Sequence, residues 1–450
     1  MYDLIVIGGG PGGYEAAAHA GRMGKKVALV EQRQLGGACL HVGCIPTKTF
    51  LKASKLLAEC RQAQAYGLRV AGAEIDMPAL VRRKEKIVGA LTRGVGSLLK
   101  RSGVEVIEGR GRLRSRSVVE VDGQGYEAAN ILLATGARPA VPPIPGIDSE
   151  AVLDSSSILN LEQVPETLAV IGGGYIGLEF ASFFAEAGPR VTVIEMLPAV
   201  ASGCDAQISR RLLSAIRKSG VTVHLSARVT GVDGRALHYQ TEDGAAATVA
   251  ADYILNATGR TPVVDGLGLE EAGVDFDRRG IRTSDQGKTN VPGVWACGDV
   301  TGRRLLAHAA TREGIVAVNN MFGRRDRIRY EAIPAVIYTH PEVASVGHTE
   351  EELQRAGIEY RKTESPMAMA GRFLIEHEGG SGFVKVLLGA KYGNVLGVHA
   401  IGDGCGEFIA SAAFMVEMEM RVDDVREMVF PHPTISEALK EAVLQGASEE

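Results

Sequence analysis

The chain has 450 residues, about three times the length of a typical domain, so two to four domains are expected. Hydrophobic residues make up 45% and charged residues 23%, as in a globular protein, and a net charge of −5 gives no basic footprint for nucleic acid or anionic membrane. No apolar run approaches the roughly 18 residues of a membrane span. Six cysteines are too few for a disulfide scaffold, and residues 1–20 show no export signal, so a cytoplasmic protein is predicted.

The first element along the chain is a nucleotide-binding motif. A predicted buried strand, Tyr2–Ile7, runs directly into the Gly-x-Gly-x-x-Gly sequence of Gly8, Gly10 and Gly13. An alanine-rich helix and a second strand follow, and that strand ends at Glu31. The first glycine makes the tight turn, the second admits a pyrophosphate to the helix N-terminus, and the third lets helix and strand pack closely. A carboxylate at the end of the second strand can accept hydrogen bonds from a ribose diol.

A pair of cysteines comes next. Cys39 and Cys44 lie five residues apart, before Pro46 and an amphipathic stretch over residues 48–62. Proline suits the first turn of a helix, so Cys44 is expected near a helix N-terminus, where the dipole stabilises a thiolate. A zinc site would need two more ligands, and the other cysteines lack the spacing for it. We therefore predict a redox-active disulfide rather than packing cysteines, and no metal site.

The nucleotide-binding motif recurs in the middle of the chain. The strand Thr167–Ile171 precedes Gly172, Gly174 and Gly177, and the next strand ends at Glu195 with the same spacing from the first glycine as before. Two copies in full strand–helix–strand context indicate two dinucleotide sites. No arginine follows this second acid closely, so a 2′-phosphate would face a carboxylate, and NAD is favoured over NADP.

Two similar strands suggest the domain limits. Residues 131–136 and 253–259 each end in Ala-Thr-Gly, and each can carry the chain out of a nucleotide-binding domain. The proline-rich residues 139–145 resemble a linker. The first domain is therefore expected to run to about residue 145 and the second to about residue 266.

A histidine near the C-terminus is a candidate base. His432 precedes a predicted helix over residues 438–444, which Thr434 or Ser436 can cap. A histidine just outside a helix start can meet a carboxylate in the first turn, here Glu437, and the pair would form a general base with an orienting partner. A surface capping histidine is the simpler alternative on these residues alone.

Together these motifs resemble the class I pyridine nucleotide–disulfide oxidoreductases, and within them the dihydrolipoyl dehydrogenase family. The resemblance covers nearly the whole chain and also includes residues 295–300, 306–309, 338–342 and 382–401. It implies an α/β fold with two Rossmann-like (three-layer ββα) dinucleotide-binding domains and a C-terminal α+β dimerisation domain. The implied partition is FAD-binding for 1–145 and 267–328, NAD-binding for 146–266, and dimerisation for 329–450.

The resemblance also implies which residues hold the cofactors. Glu31 would bind the adenosine ribose of FAD, Asp299 its ribityl chain, and Lys48, paired with Glu179, would lie near flavin N5. The implied FAD residues are Gly8, Gly10, Gly13, Glu31, Lys48, Gly111, Thr135, Gly136, Asp299, Leu306, Ala307 and His308. The implied NAD residues are Gly172, Gly174, Tyr175, Gly177, Glu195, Val229 and Gly259. In relatives a ring at the place of Tyr175 covers the empty nicotinamide pocket.

The implied activity is FAD-dependent oxidation of protein-bound dihydrolipoamide with reduction of NAD⁺, as the E3 component of a 2-oxo-acid dehydrogenase or glycine-cleavage system. The implied catalytic residues are Cys39, Cys44, His432, Glu437, Lys48 and Glu179. The implied partners are a second copy of the chain, whose disulfide would receive the histidine and its acid, and a lipoyl carrier, either E2 or the glycine-cleavage H protein. No nucleic-acid or membrane partner is expected.

Three residues depart from the family pattern: Ala38 and His41 stand where Thr and Asn are common, and Phe430 stands where many members have His. Two alternatives to the implied activity stay open. One is an NAD(P)H-dependent reductase of another small disulfide, and the other is a non-catalytic flavin redox sensor. The acid at Glu195 argues against NADPH, and the complete catalytic set argues against a sensor.

Overall fold

The computed structural model describes residues 1–447, and it is a mixed α/β protein. Its helices in chain order are α1 (Pro11–Arg22), α2 (Gly37–Val42), α3 (Cys44–Gln62), α4 (Met77–Arg101), α5 (Tyr175–Ala187), α6 (Ala206–Lys218), α7 (Ala307–Met321), α8 (Glu350–Ala356), α9 (Gly371–Glu376), α10 (Cys405–Glu417), α11 (Val422–Arg426) and α12 (Glu437–Leu444). Within the described residues, no helix has both the length and the apolar character needed to cross a membrane. Residues 448–450, the end of the predicted dimerisation domain, lie outside the described part of the chain.

In the described part of the chain the strands are more numerous than the α-helices. In chain order they are β1 (Tyr2–Ile7), β2 (Val27–Glu31), β3 (Val104–Glu108), β4 (Gly111–Ser115), β5 (Val118–Val121), β6 (Gln124–Leu133), β7 (Ala137–Pro139), β8 (Val152–Asp154), β9 (Thr167–Ile171), β10 (Arg190–Ile194), β11 (Thr222–His224), β12 (Arg228–Asp233), β13 (Ala236–Gln240), β14 (Ala246–Ala250), β15 (Tyr253–Asn256), β16 (Arg260–Pro262), β17 (Phe276–Asp277), β18 (Gly280–Ile281), β19 (Val294–Ala296), β20 (Ala335–Ile337), β21 (Val343–Gly347), β22 (Tyr360–Pro366), β23 (Phe383–Gly389) and β24 (Val395–Ile401).

The chain divides into two compact units. The first comprises Met1–Thr49, Ala79–Ala140 and Gly259–Ile328. Its main sheet has the order β3-β2-β1-β6-β5-β4, with β19 also paired to β6. Strands β3, β2, β1, β6 and β19 run parallel to one another, whereas β5 pairs antiparallel with both β6 and β4. Strand β1 is central, and its apolar side chains are buried on both faces, which explains its unbroken hydrophobic run.

The second unit comprises Phe50–Pro78, Val141–Thr258 and Arg329–Glu450. It contains a parallel sheet of order β11-β10-β9-β15-β8, which repeats the arrangement around the first Gly-rich turn, and a three-stranded antiparallel sheet β12-β13-β14. A five-stranded antiparallel sheet, β20-β21-β24-β23-β22, packs its apolar face against α10 and α12. The predicted α/β class with two Rossmann-like units and a C-terminal α+β segment is confirmed. The predicted domain limits stay a prediction.

A proline lies in the first turn of each of two helices. Helix α1 starts at Pro11 itself, directly after Gly10. Helix α3 starts at Cys44, so Pro46 lies in its first turn, as the sequence predicts. The missing N–H of proline costs nothing there, because the first four N–H groups of a helix have no intrahelical partner. As a result Cys44 is the first residue of α3, as expected for a dipole-stabilised thiol.

Candidate active site

The first Gly-rich turn depends on one close backbone contact. A Cβ built on Gly13 would lie 1.9 Å from the carbonyl oxygen of Gly8, so the start of α1 can approach the end of β1 only without a side chain. Gly8 itself has a φ of 108°, a conformation that glycine adopts without strain. By contrast, a Cβ on Gly10 would find its nearest atom, the Cα of Gly37, at 3.9 Å. The N-terminus of α1 therefore has open space beside Gly10, where a pyrophosphate can approach.

The acid at the end of β2 is tied to this turn. The Glu31 carboxylate accepts hydrogen bonds from the backbone N–H of Gly9 at 2.7 Å and of Arg33 at 2.8 Å. Two backbone donors therefore fix the carboxylate beside the turn, and its remaining lone pairs can accept ribose hydroxyls. The sequence located this acid but gave no sign of its bonds to the backbone.

The two predicted redox cysteines are in contact. Cys39 lies in α2 and Cys44 opens α3, and the two thiols hydrogen-bond to each other. The pKa of Cys39 is raised far above its ordinary value, first by this hydrogen bond and then by burial and by a charge on Cys44, while the Lys48 ammonium opposes the rise. Donating this hydrogen bond stabilises the protonated thiol, and burial and a neighbouring charge both disfavour a thiolate. Cys44 is the first residue of α3, and a helix N-terminus is a position whose dipole favours negative charge.

Helix α2 reaches this position through the glycines before it. Gly36 has a φ of 109° and donates its N–H to the Gly9 carbonyl at 2.8 Å. A Cβ on Gly37 would lie 2.6 Å from the Cα of Gly10. The cysteine-bearing helix is therefore packed directly on the Gly-rich turn. His41, one of the residues that depart from the family pattern, has its Nε2 2.9 Å from the Leu35 carbonyl oxygen.

A second acid lies in the same unit. Asp299, in the turn after β19, is largely buried, and this burial raises the pKa of its carboxyl group. The positive charge of Arg260, whose Nε lies 3.6 Å from Asp299 Oδ2, lowers that pKa and so opposes the rise. The buried Glu313 of α7 accepts the Gly298 N–H at 2.6 Å and so fixes this turn. The sequence predicted the aspartate, but no local pattern indicated the arginine or the glutamate.

The other residues predicted to hold FAD are all in the first unit. Thr135 donates its hydroxyl to the Val263 carbonyl at 2.8 Å, and Gly136 follows it with a φ of 71°. Gly111 begins β4, where a Cβ would touch the Val30 side chain at 3.0 Å. Leu306, Ala307 and His308 form the N-terminal end of α7.

The second Gly-rich turn repeats the first. A Cβ on Gly177 would lie 2.0 Å from the Gly172 carbonyl oxygen, whereas a Cβ on Gly174 would meet nothing within 4 Å. Glu195 accepts the N–H of Gly173 at 2.5 Å and of Leu197 at 2.7 Å, in the same way as the acid of the first unit. The second unit thus has an equivalent open helix N-terminus beside a fixed carboxylate.

Three further predicted residues lie in the second unit. The hydroxyl of Tyr175, the first residue of α5, is 3.4 Å from the Cys204 sulfur. Glu179, also in α5, is buried and accepts the Tyr338 N–H at 3.0 Å, a contact that no sequence pattern predicts. Val229 lies in β12, partly buried against the core of this unit.

Gly259, the last residue predicted to line the NAD site, belongs to the first unit. Its φ is 128°, and its carbonyl accepts the Ala140 N–H at 3.0 Å.

The predicted base and its acid are in contact. His432 Nδ1 lies 2.9 Å from Glu437 Oε1 and 3.2 Å from Oε2, and the imidazole is 77% exposed. The Thr434 N–H donates to the same carboxylate at 3.0 Å, and this bond, followed by the histidine, lowers the pKa of Glu437. The expected helix cap was wrong: the Ser436 side chain makes no cap bond, and its hydroxyl lies 2.8 Å from that of Thr434.

With this geometry established, comparison with known proteins defines the class. Residues 2–314 match the model of the pyridine nucleotide-disulphide oxidoreductase family, and residues 333–443 match the dimerisation domain of the same family. The chain belongs to the pyridine nucleotide-disulphide oxidoreductases. It is an oxidoreductase with FAD and NAD as its cofactors, and it carries a C-terminal dimerisation domain.

Individual proteins of this family are similar to the chain over nearly its whole length. The chain is 43% identical to dihydrolipoyl dehydrogenase 3 of Pseudomonas aeruginosa, over 98% of this chain and 97% of the relative. It is 37% identical to dihydrolipoyl dehydrogenase of Bacillus subtilis, over 98% of each protein. Among solved structures, LpdA from Mycobacterium tuberculosis superposes with a TM-score of 0.91 at 28% identity, covering 99% of this chain and 100% of that one. The HOCl-induced flavoprotein disulfide reductase RclA from Escherichia coli gives 0.86 at 27% identity and 99% coverage of both.

The contrast between Gly10 and Gly13 yields a prediction. In Gly10→Ala the methyl group enters open space at the helix N-terminus, so the protein should fold but lose most of its FAD. In Gly13→Ala the methyl group meets the Gly8 carbonyl, so the turn itself should fail. Flavin absorbance per protein chain and the thermal unfolding midpoint measure the two effects. Full FAD retention in folded Gly10→Ala would contradict the assignment of this turn to the cofactor.

Proposed function

We propose that this protein oxidises the dithiol of a protein-bound dihydrolipoyl group to its cyclic disulfide and reduces NAD⁺ to NADH. The observation that carries the proposal is the contact between two thiols near Lys48. Cys39 lies in α2, and Cys44 lies at the N-terminus of α3. The oriented base formed by His432 and Glu437 supports it, as do the dihydrolipoyl dehydrogenases among the relatives.

The reaction begins with the base. His432 takes a proton from one substrate thiol on Nε2, because Nδ1 faces the Glu437 carboxylate, which stabilises the resulting imidazolium. The substrate thiolate attacks Cys39 of the Cys39–Cys44 disulfide, and Cys44 leaves as a thiolate stabilised by the helix dipole. The second substrate thiol then attacks the substrate sulfur of the mixed disulfide, Cys39 leaves, and the proton of that thiol passes to the Cys39 sulfur. The cyclic disulfide product then leaves, and both cysteines are reduced.

Each cofactor has residues that would hold it. The open space beside Gly10 and the fixed Glu31 carboxylate fit the pyrophosphate and ribose of FAD, and Gly174 with Glu195 offers the same arrangement to NAD. Bound FAD supplies an electron acceptor for the dithiol and a hydride donor for NAD⁺. We further propose that Lys48 pairs with Glu179 near the flavin, and that Tyr175 covers the nicotinamide site. The other predicted FAD and NAD contacts are proposed on the same resemblance.

The second copy of the chain belongs to the proposal. The exposed imidazole of His432, in a protein with a dimerisation domain, is suited to reach the disulfide of a partner subunit. A homodimer would then hold two complete sites, and a monomer none. The substrate would arrive on the lipoyl arm of an E2 or H protein, and we propose that the reaction takes place in the cytoplasm.

The first prediction concerns the substrate. The purified holoenzyme should reduce NAD⁺ rapidly with dihydrolipoamide and poorly with reduced glutathione, because the base and the disulfide suit a dithiol that can cyclise. Absorbance of NADH with each thiol gives kcat/KM directly. A protein that reduces glutathione disulfide with NADPH and ignores dihydrolipoamide would instead be a reductase of another small disulfide. A protein that binds FAD but turns over neither substrate would be a sensor.

The second prediction concerns the base. His432→Ala should slow reduction of the enzyme by dihydrolipoamide by about 10²–10⁴-fold, the usual scale for loss of a general base. Reduction of the flavin by NADH should be unchanged, because that half-reaction needs no proton from the thiol. Stopped-flow measurement gives the rate of each half-reaction separately. His238→Ala, at a histidine in β13, is the matched control, and equal loss of both half-reactions in His432→Ala would indicate a folding or dimer defect.

A further inference from the structure

The hydroxyl of Tyr175 lies against the segment of chain that follows Glu195. Its oxygen is 3.4 Å from the Cys204 sulfur, and a Cβ built on Gly203 would lie 3.6 Å from the same oxygen. Tyr175 is the first residue of α5 and directly follows Gly174, beside which the NAD⁺ site is proposed. A contact that restrains this ring therefore affects how NAD⁺ reaches the second Gly-rich turn.

Cys204 is held in place by the residue that follows it. Asp205 is fully buried, and its two carboxylate oxygens lie 3.1 Å and 2.8 Å from Nζ of Lys385, which is also fully buried. The same carboxylate accepts the N–H of Gln207, and so caps α6, and it accepts the N–H of Glu350 at 3.3 Å. Breaking a buried ion pair is strongly destabilising, so this carboxylate stays where its partners are. The Cys204 backbone is therefore joined to a fixed point of the fold.

Backbone bonds also connect this cysteine to the second Gly-rich turn. The Cys204 N–H donates to the Ala201 carbonyl at 2.8 Å, and the N–H of the buried Ala201 donates to the Gly173 carbonyl at 2.8 Å. Burial raises the pKa of the Cys204 thiol, against the opposing effect of the Tyr175 hydrogen bond, so the thiol is neutral. A neutral thiol makes only a weak hydrogen bond. The sulfur is thus fixed in position, while its bond to the tyrosine hydroxyl is weak enough to break and re-form.

We propose that Cys204 is a positioning residue for Tyr175. The thiol holds the ring where it covers the nicotinamide site, and NAD⁺ enters when the contact between sulfur and hydroxyl breaks. The apparent affinity for NAD⁺ is then lowered in proportion to the fraction of molecules in which the ring is free to move. Cys204 acts through Tyr175 and not by its own contact with NAD⁺. The inference rests on the proposed function, which assigns the NAD⁺ site and the covering role of the ring.

The test is a double-mutant cycle on the oxidised holoenzyme, in which isothermal titration calorimetry gives the Kd for NAD⁺. Tyr175→Phe removes the hydroxyl but keeps the ring, and Cys204→Ala removes the sulfur. Each variant should bind NAD⁺ about two- to tenfold more tightly, the factor that corresponds to the net contribution of one neutral hydrogen bond. The double variant should bind no more tightly than either single variant, because all three lose the same contact.

Two further variants complete the cycle. Cys204→Ser keeps a hydrogen-bonding group and should return the Kd towards the wild-type value. Cys60→Ala, at a half-buried cysteine of α3, is the matched control and should leave the Kd unchanged.

The outcomes separate positioning from a merely structural role. The proposal is overturned if Cys204→Ala unfolds at a lower temperature but keeps the wild-type Kd, or if the effects of the two single variants multiply in the double variant. Weaker NAD⁺ binding in both single variants would overturn it as well. If wild-type protein binds NAD⁺ but does not oxidise dihydrolipoamide, the proposed reaction fails, while the cycle still decides whether Cys204 positions Tyr175.

Discussion

Both nucleotide-binding turns depend on a single contact between two backbones. In each, the α-carbon of the third glycine lies against the carbonyl oxygen of the first, so a Cβ would be 1.9 Å away in one turn and 2.0 Å in the other. This approach brings the helix N-terminus to the end of the strand, an arrangement whose free N–H groups and positive dipole suit an anion such as a pyrophosphate. A methyl group at Gly13 or Gly177 would separate helix from strand, and the site would be lost with the turn.

The first Gly-rich turn also determines where the two contacting cysteines lie. Helix α2 packs on it through Gly36 and Gly37, and this places Cys39 beside Cys44 at the start of α3. The surroundings of each sulfur then determine how readily that sulfur carries a negative charge. The neighbouring sulfur and burial raise the pKa of the Cys39 thiol, and the helix N-terminus favours charge on Cys44. In the proposed reaction, Cys39 exchanges with the substrate and Cys44 holds the negative charge.

Local patterns were predictable from the sequence, and distant partnerships were not. The strands β1 and β9 were located to the residue, and the contact of His432 with Glu437 followed from one helix start. The bond from Tyr338 to Glu179 joins residues far apart in the chain, as does the pairing of Lys55 with Asp403. No spacing rule links such residues, because the fold alone brings them together. The Ser436 cap failed for a different reason: its backbone is already helical, with φ −63° and ψ −15°, and its hydroxyl lies 2.8 Å from the Thr434 hydroxyl.

The central claim is that Cys39 and Cys44 form the disulfide through which electrons pass to NAD⁺. The most direct measurement is thiol labelling of the isolated oxidised holoenzyme before and after one equivalent of NADH without oxygen, read by peptide mass mapping. The account predicts that NADH exposes two new alkylatable thiols per chain, at Cys39 and Cys44, and none at Cys60, Cys204, Cys297 or Cys405. Flavin reduction with no new thiol at Cys39 and Cys44 would contradict it.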